Sequence, residues 1–332
     1  MSEKILLGHG SGGKLMNELI NGMIRETFGE SLQLDDSAVL TVGNKQLAFT
    51  TDTFTITPLF FPGGDIGELA INGTVNDLAV MGARPLYISS AFILEEGLEI
   101  EHLEKIVKSM KRAADYARVK IVTGDTKVVE KGKGDRLFIN TAGIGVMEAP
   151  VQRKPVEEGD LILINGTIGD HGISVMAERN RLSFSKGLAS DCAPLNHLIG
   201  AVMKEFPGSI KFMRDATRGG VASVLNEVVQ ETAFSARLME EDLPVKDEVH
   251  GVCDILGIDP LYAANEGKVL MVVARNDGPR IIEVMKGIKE GVGAAVIGEI
   301  TSQYAGKVFI QTGIGGKRIL SLLVEEQLPR IC

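Results

Sequence analysis

The apolar residues of this chain run through one alternation of strands and helices, break off, and then run through a second. Leu47 to Thr51 reads as a strand leading into a loop that carries Asp52, and Gly67 to Met81 has helical spacing, with Leu69, Val75 and Leu78 among its apolar positions. Leu86 to Leu94 predicts a strand and Glu99 to Arg118 an amphipathic helix. Two further β-rich stretches, Val119 to Thr123 and Leu137 to Val146, flank a Gly-Lys-Gly turn at 132–134. Between Ala149 and Asp160 the alternation stops at Pro150, Pro155 and a Glu-Glu-Gly-Asp run. It resumes with a strand at Leu161 to Asn165 and helices at Gly172 to Arg179, near Leu195 to Glu205 and at Gly219 to Thr232. Strands follow at Val269 to Ala274, Ala294 to Ile300 and Lys307 to Gln311. This pattern predicts two α/β (α+β-type) domains, 1–150 and 151–322, with the strand order left open. Residues 323–332, which include Glu325, Glu326 and Pro329, read as a flexible tail.

Composition narrows the function classes. A formal net charge of −9 disfavours nucleic acid, because binding phosphates along a backbone needs a basic face. The apolar runs, of which Val269 to Ala274 is typical, fall far short of the roughly 18 residues that span a bilayer. The opening Met-Ser-Glu-Lys lacks a signal-peptide layout, and three scattered cysteines make neither a disulfide framework nor a CxxC metal site. Together these point to the cytoplasm. The five histidines show no HExxH or paired spacing, which leaves a zinc-hydrolase reading without support.

The segment from Gly8 to Leu15 is glycine-rich and carries Lys14. It matches GxGxxG, but only Ile5 to Leu7 precedes it, too little for a first dinucleotide-fold strand; as a P-loop it fails because Leu15 stands where a hydroxyl should meet magnesium. What remains is a loop with Gly12, Gly13 and Lys14 whose backbone N–H groups could close over phosphates, set against a plain flexible N-terminus. A stronger signal lies in the aspartates expected at strand ends or turns: Asp35-Asp36, Asp52, Asp77, Asp125 and Asp215. Any single one is explained by capping a helix or turn. Five such sites in one chain suit a polyphosphate, which carboxylates approach only through Mg²⁺ or another hard cation. Asn76 and Asp77 lie in an apolar helical stretch, where a buried carboxylate needs a partner or a metal. Glu266, ahead of a strongly apolar strand, is a general base, a metal ligand or a loop acid on this evidence alone. Cys332, the last residue of the sequence, is either incidental or a thiol on a movable arm; from Glu325 such an arm spans about 23–25 Å when extended.

Taken together, the segments Gly8 to Gly13, Asn76 to Ala83, Gly124 to Lys127, Gly166 to Gly172 and Met213 to Gly220 resemble a superfamily of ATP-using enzymes. It includes aminoimidazole ribonucleotide synthetase, selenophosphate synthetase and thiamine-monophosphate kinase. Within it the chain resembles, over its whole length, the hydrogenase-maturation carbamoyl dehydratases, and the ending Pro329-Arg330-Ile331-Cys332 is the most specific element. The resemblance implies an N-terminal mixed sheet that forms an intersubunit barrel in a homodimer, a C-terminal α/β sandwich, and ATP with Mg²⁺ in the cleft between the halves. It further implies that a carbamoyltransferase, HypF, loads the terminal thiol, and that dehydration gives a thiocyanate whose cyano group passes to iron on the HypC–HypD complex. By the same resemblance, Cys332, Glu266 and Lys127 serve catalysis. Asp36, Asp77, Asp125 and Asp215 hold magnesium, and Gly12, Gly13, Lys14, Asp35, Asp52, Asn76, Thr126, Thr217 and Arg218 face the nucleotide. The competing readings are a small-molecule kinase of the same superfamily, with Cys332 incidental, and an ATP-binding scaffold without chemistry of its own.

Overall fold

The protein was analysed as a computed structural model, in which residues 4–10, 13–29, 33, 35–148, 154–182, 187–323, 328 and 330–332 are described. Near the N-terminus Lys14–Leu19 (α1) and Arg25–Phe28 (α2), joined by a π-helical turn, bury no side chain. The first domain then comprises Ala38–Val42 (β1), Lys45–Phe54 (β2), the short hairpin Phe60–Phe61 (β3) and Gly64–Asp65 (β4), and Ile66–Val80 (α3). Ala83–Glu95 (β5), Ile100–Ala117 (α4), Lys120–Val129 (β6) and Leu137–Met147 (β7) complete it. Five of these strands form a sheet in the order β1-β2-β7-β5-β6. Only β5 and β6 pair in parallel, because α4 carries the chain back across the sheet between them.

The second domain comprises Leu161–Ile164 (β8), Asp170–Arg179 (α5), Asn196–Glu205 (α6), Ile210–Asp215 (β9), Gly220–Val229 (α7), Ser235–Met239 (β10) and Asp247–Leu256 (α8). Val269–Val273 (β11), Gly278–Lys286 (α9), Ala295–Thr301 (β12), Val308–Gln311 (β13) and Lys317–Leu320 (β14) follow. Its seven-stranded sheet runs β14-β13-β10-β12-β8-β11-β9. All five residues of β11 are buried, as befits a strand covered on both faces. The expected junction near residue 150 lies outside the described residues.

Helix α3 ties the two domains together. Every residue in it except Glu68 and Asp77 is buried, which a helix enclosed on all sides requires. Leu69, Ala70, Ile71 and Val75 share a core with Ile173 of α5 and Val249 of α8, while Ala79 and Val80 pack with Leu163 and Val269 of the second sheet. Each fully buried Leu or Ile contributes about 2 kcal/mol. The Asp65 side chain caps the helix, accepting from the N–H groups of Gly67 at 2.8 Å and Glu68 at 3.1 Å. At Gly67 a Cβ would lie 2.6 Å from the Ile106 carbonyl, so the close approach of α4 needs glycine there. The buried residues of α4, Ile106, Ser109, Met110, Ala113, Ala114 and Ala117, fall on one stripe as its sequence predicts.

Two of the aspartate placements are corrected: Asp52 sits inside β2, which runs on to Phe54, rather than in a loop, and Asp125 lies within β6, whereas Asp77 lies in the last turn of α3, inside the expected helical stretch. Strand β6 is the edge of its sheet and is exposed along all but its final residue, Val129. Finally, the expected flexible tail is seated wherever it is described. Leu328 and Ile331 are buried in the same core as α3, and the Leu323 carbonyl accepts from the Lys14 N–H at 3.2 Å. The proline and charges that suggested a loose end gave no sign of the apolar Leu328 and Ile331 as anchors.

Candidate active site

A cavity of about 770 Å³ opens between the domains, lined by residues from the N-terminal segment, β2, α3, β9, the start of α7 and the chain end. Asp36, Asp77 and Asp215 each offer an oxygen to it, and these oxygens lie within 4.8 Å of one another. They converge because the turn before β1, the end of α3 and the end of β9 meet at one point. Asp36 is held by the Arg214 guanidinium, with Nε 2.8 Å from its Oδ1, and Arg214 also pairs with Glu227. The Thr50 hydroxyl lies 2.8 Å from both Asp77 Oδ2 and the Asp36 carbonyl. One hydroxyl proton cannot serve both acceptors, and a protonated Asp77 resolves this by donating to Thr50.

The electrostatics agree with that reading. Burial and then the charges of Asp215, Asp52 and Asp36 push Asp77 well above the usual carboxylate range. Asp215 is raised to about 8, first by burial and then by Asp36, against the opposing charge of Arg214. Asp52 is raised by burial, with Arg218 opposing. Carboxylates this close cannot all ionise without a counter-ion, and oxygen-only donors on a shared centre suit a hard divalent cation. The donor set therefore fits Mg²⁺ held by Asp36, Asp77 and Asp215.

Glu266 lies in the same cavity, ahead of β11. It is 3% exposed and its Oε1 has no hydrogen-bond partner. Burial, followed by Asp215, Asp52 and Asp191, raises it well above the ordinary range, while Arg218 opposes. Its main chain is fixed from several sides: the N–H donates to Asp191 Oδ1 at 3.2 Å, and the carbonyl accepts from Asn76 Nδ2 at 3.3 Å. Cys332 also borders the cavity. It is the largest influence holding Arg218 above its ordinary value.

The sequence-predicted residues sort into three groups. Gly13, Asp35, Asp36, Asp52, Asp77, Asp215, Thr217, Arg218, Glu266 and Cys332 all line the cavity. Asn76 does not. Its amide is spent within the protein, on the carbonyls of Ala193 and Glu266 and on the Leu195 N–H, so it braces the Glu266 segment instead of facing a nucleotide. Lys14 is largely exposed and its ammonium lies 3.9 Å from Glu18. Asp125, Thr126 and Lys127 stand on the exposed edge strand β6, where Lys127 pairs with Asp125 at 2.9 Å. Within one chain Asp125 is therefore no fourth ligand to the aspartate cluster. Gly12 lies outside the described residues. Sequence reasoning passed over Thr50, Arg214 and Asp191; the basic residue adjoining Asp215 was the available sign for Arg214, and nothing local marked the other two.

A two-domain α/β chain with a carboxylate-lined interdomain cleft has the architecture of the AIR synthase related proteins, and both halves of the chain match that class. Residues 34–147 match the N-terminal domain of AIR synthase related proteins, and residues 157–311 match the C-terminal domain. Carbamoyl dehydratase HypE of Rhodobacter capsulatus is 46% identical over 337 residues, covering 99% of this chain and 98% of that protein. The crystal structure of a HypE–HypF complex superposes with a TM-score of 0.85 at 49% identity, over 92% of this chain and 99% of that one. A HypE structure in complex with ATP gives 0.82 at 42% identity, over 99% and 100%. The chain belongs to the carbamoyl dehydratase HypE family.

Proposed function

We propose that this protein dehydrates a carbamoyl group carried on the Cys332 thiol to a cyano group, with ATP taking up the elements of water as ADP and phosphate, for assembly of the hydrogenase iron centre. The observation that carries the reading is that residue 332 borders the same cavity as the aspartate cluster and the unpartnered Glu266 carboxylate. An amide oxygen leaves poorly, and phosphoryl transfer to it lets it depart as phosphate. Bound Mg²⁺ offsets charge on the phosphates and orients them. One amide proton leaves as the oxygen is phosphorylated, and Glu266, held by Asp191 and Asn76, takes the second as the carbon–oxygen bond breaks. Arg218, next to Cys332, faces negative charge developing at the carrier. Intact mass tests this: the carbamoylated protein should lose one water on adding Mg-ATP, and peptide mapping should place the loss at Cys332. ATP consumption with no mass change would overturn the reading.

We further propose a homodimer, which would give β6 a purpose. Tyr87 and Ile93 on β5 and Ile144 on β7 are exposed on the sheet face that Asp125 and Lys127 of β6 share, since Tyr87 pairs with Ile144, Ala91 with Asp125 and Ile93 with Lys127. An apolar sheet face of this kind favours covering by a second copy. We place Asp125, Thr126 and Lys127 of one protomer at the cleft of the other, with Lys127 near the thiocarbamate. Mixing Lys127→Ala with Cys332→Ala should then restore about a quarter of native activity, because half the dimers carry one intact site. No recovery on mixing would place Lys127 in the cleft of its own chain or outside the site altogether. A HypF-type carbamoyltransferase as donor follows from the complex formed by the relative, and HypC–HypD is the proposed cyanide acceptor.

A further inference from the structure

The seat of the chain end is built to read its backbone. The main-chain oxygens of three consecutive residues are met by donors from two domains. The Arg330 carbonyl accepts from the Thr57 N–H at 3.4 Å and from Arg179, and a carboxylate oxygen of Cys332 accepts from the Thr55 N–H at 3.2 Å and from its hydroxyl at 3.3 Å. Between them, Ile331 O lies 2.9 Å from His171 Nε2. The Thr55 and Thr57 contacts resemble an added strand, which fixes direction but tolerates a slip in register. His171 supplies the contact on the other side, from α5 in the second domain.

The protons on His171 follow from its partners. A carbonyl only accepts, so Nε2 must carry the hydrogen. The ring is fully buried, which lowers its basicity and favours the neutral form, with Asp191 opposing. Nδ1 is then bare, and it lies 2.8 Å from the Ser190 hydroxyl. That hydroxyl oxygen accepts from the Cys192 N–H at 3.0 Å, which leaves its own proton for Nδ1. One relay therefore runs from the Cys192 N–H through Ser190 and the imidazole to Ile331 O. The residue between Ser190 and Cys192 is Asp191, whose carboxylate accepts from the Glu266 and Gly267 N–H groups and from Lys268 Nζ at 2.9 Å. A single loop, 190–192, thus fixes the neighbour of the carrier thiol and the segment of Glu266.

We infer that His171, locked by Ser190 in its Nε2–H tautomer, is a positioning residue that sets the register of the chain end and so aligns Cys332 with Glu266. The alignment rests on the dehydration reading, but the clasp itself is testable without it. The readout is the rate at which a maleimide labels Cys332 in the full-length protein, quantified on the C-terminal peptide. His171→Ala should raise labelling about tenfold, as expected for losing a donor to a buried carbonyl. His171→Gln, whose amide reaches the same carbonyl, should return it to near the native rate. Ser190→Ala should give an intermediate rise, and ATP affinity should hold in all three. Dehydration of the carbamoylated chain should fall in the same order. Ring ¹⁵N shifts of the native protein should show Nε2 protonated and Nδ1 bare. Native labelling in both His171→Ala and Ser190→Ala, a Gln variant no better than Ala, or an Nδ1–H ring would overturn the inference. Altered labelling in the same order, in a protein that dehydrates nothing, would sustain the clasp and sink only the reaction.

Discussion

Replacing Asp77 with asparagine should raise the melting temperature of the metal-free protein by about 3 °C while cutting ATP-driven dehydration about a thousandfold. Both effects come from one arrangement. Without a cation, Asp77 shares its corner with Asp36 and Asp215, and burial with like charge raises it far above its ordinary value. An amide keeps the shape and, like the protonated acid, can donate to Thr50, and it spares the metal-free protein the cost of protonating a carboxyl on folding. The cost falls on function, because a metal site that loses one of three carboxylates no longer holds its ion in place.

The same cluster sets a pH signature. Asp215 titrates near 8 in the folded protein against 3.8 as its ordinary value. A carboxyl raised on folding contributes stability that is fully present below about 3.8 and is lost as pH rises through about 8. The metal-free native protein should therefore melt progressively lower between pH 5 and pH 8, less steeply in Asp77→Asn, and added Mg²⁺ should raise the melting point more at pH 8 than at pH 5. Scanning calorimetry in chelator and in magnesium decides it. A melting point that climbs with pH in chelator would mean the three carboxylates do not repel one another.

The second large effect is expected from Glu266→Gln. Single-turnover dehydration of the loaded protein should slow by about a hundredfold to ten-thousandfold, the usual worth of a positioned general base, with ATP affinity retained. Glutamine preserves the side-chain volume, and the main-chain bonds to Asp191 and Asn76 do not involve the altered group. The native rate should fall as pH drops through the raised Glu266 range, and the variant should lack that limb, since burial and Asp215 hold this carboxyl above ordinary glutamates. Native-rate dehydration in Glu266→Gln would remove Glu266 from the role of base.

Much of the architecture was legible because local rules and the fold agree. The stripe of α4 and the wholly apolar run of β11 are periodic signals whose packing partners change nothing about their type. β14, with only Leu320 buried, offers no alternation to read, whereas α8 and α9 carry apolar stripes comparable to those of α5 to α7 and were passed over. Placing the aspartates at strand ends or turns also misjudged Asp52 and Asp125, because the strands carrying them continue past the acid.

For the site, residue types sufficed to collect acids suited to a cation and a thiol suited to a carrier, since polyphosphate chemistry demands those groups wherever the chain puts them. Which of them meet was decided by packing. Asp36 and Asp215, 179 positions apart, converge through sheet order, whereas Asp125, in an equally suggestive motif, ends on an outer strand. Asn76 looks identical in sequence whether it binds a nucleotide or braces a loop, and only the positions of Ala193, Leu195 and Glu266 assign it to the loop. The sequence by itself determined the chemical inventory and the local elements, because those depend on side chains and short-range periodicity. Tertiary structure alone decided the meeting of Asp36, Asp77 and Asp215, the seat of the chain end and the hand of His171 upon it, because contacts between residues far apart in the chain arise only when sheets, helices and domains pack together.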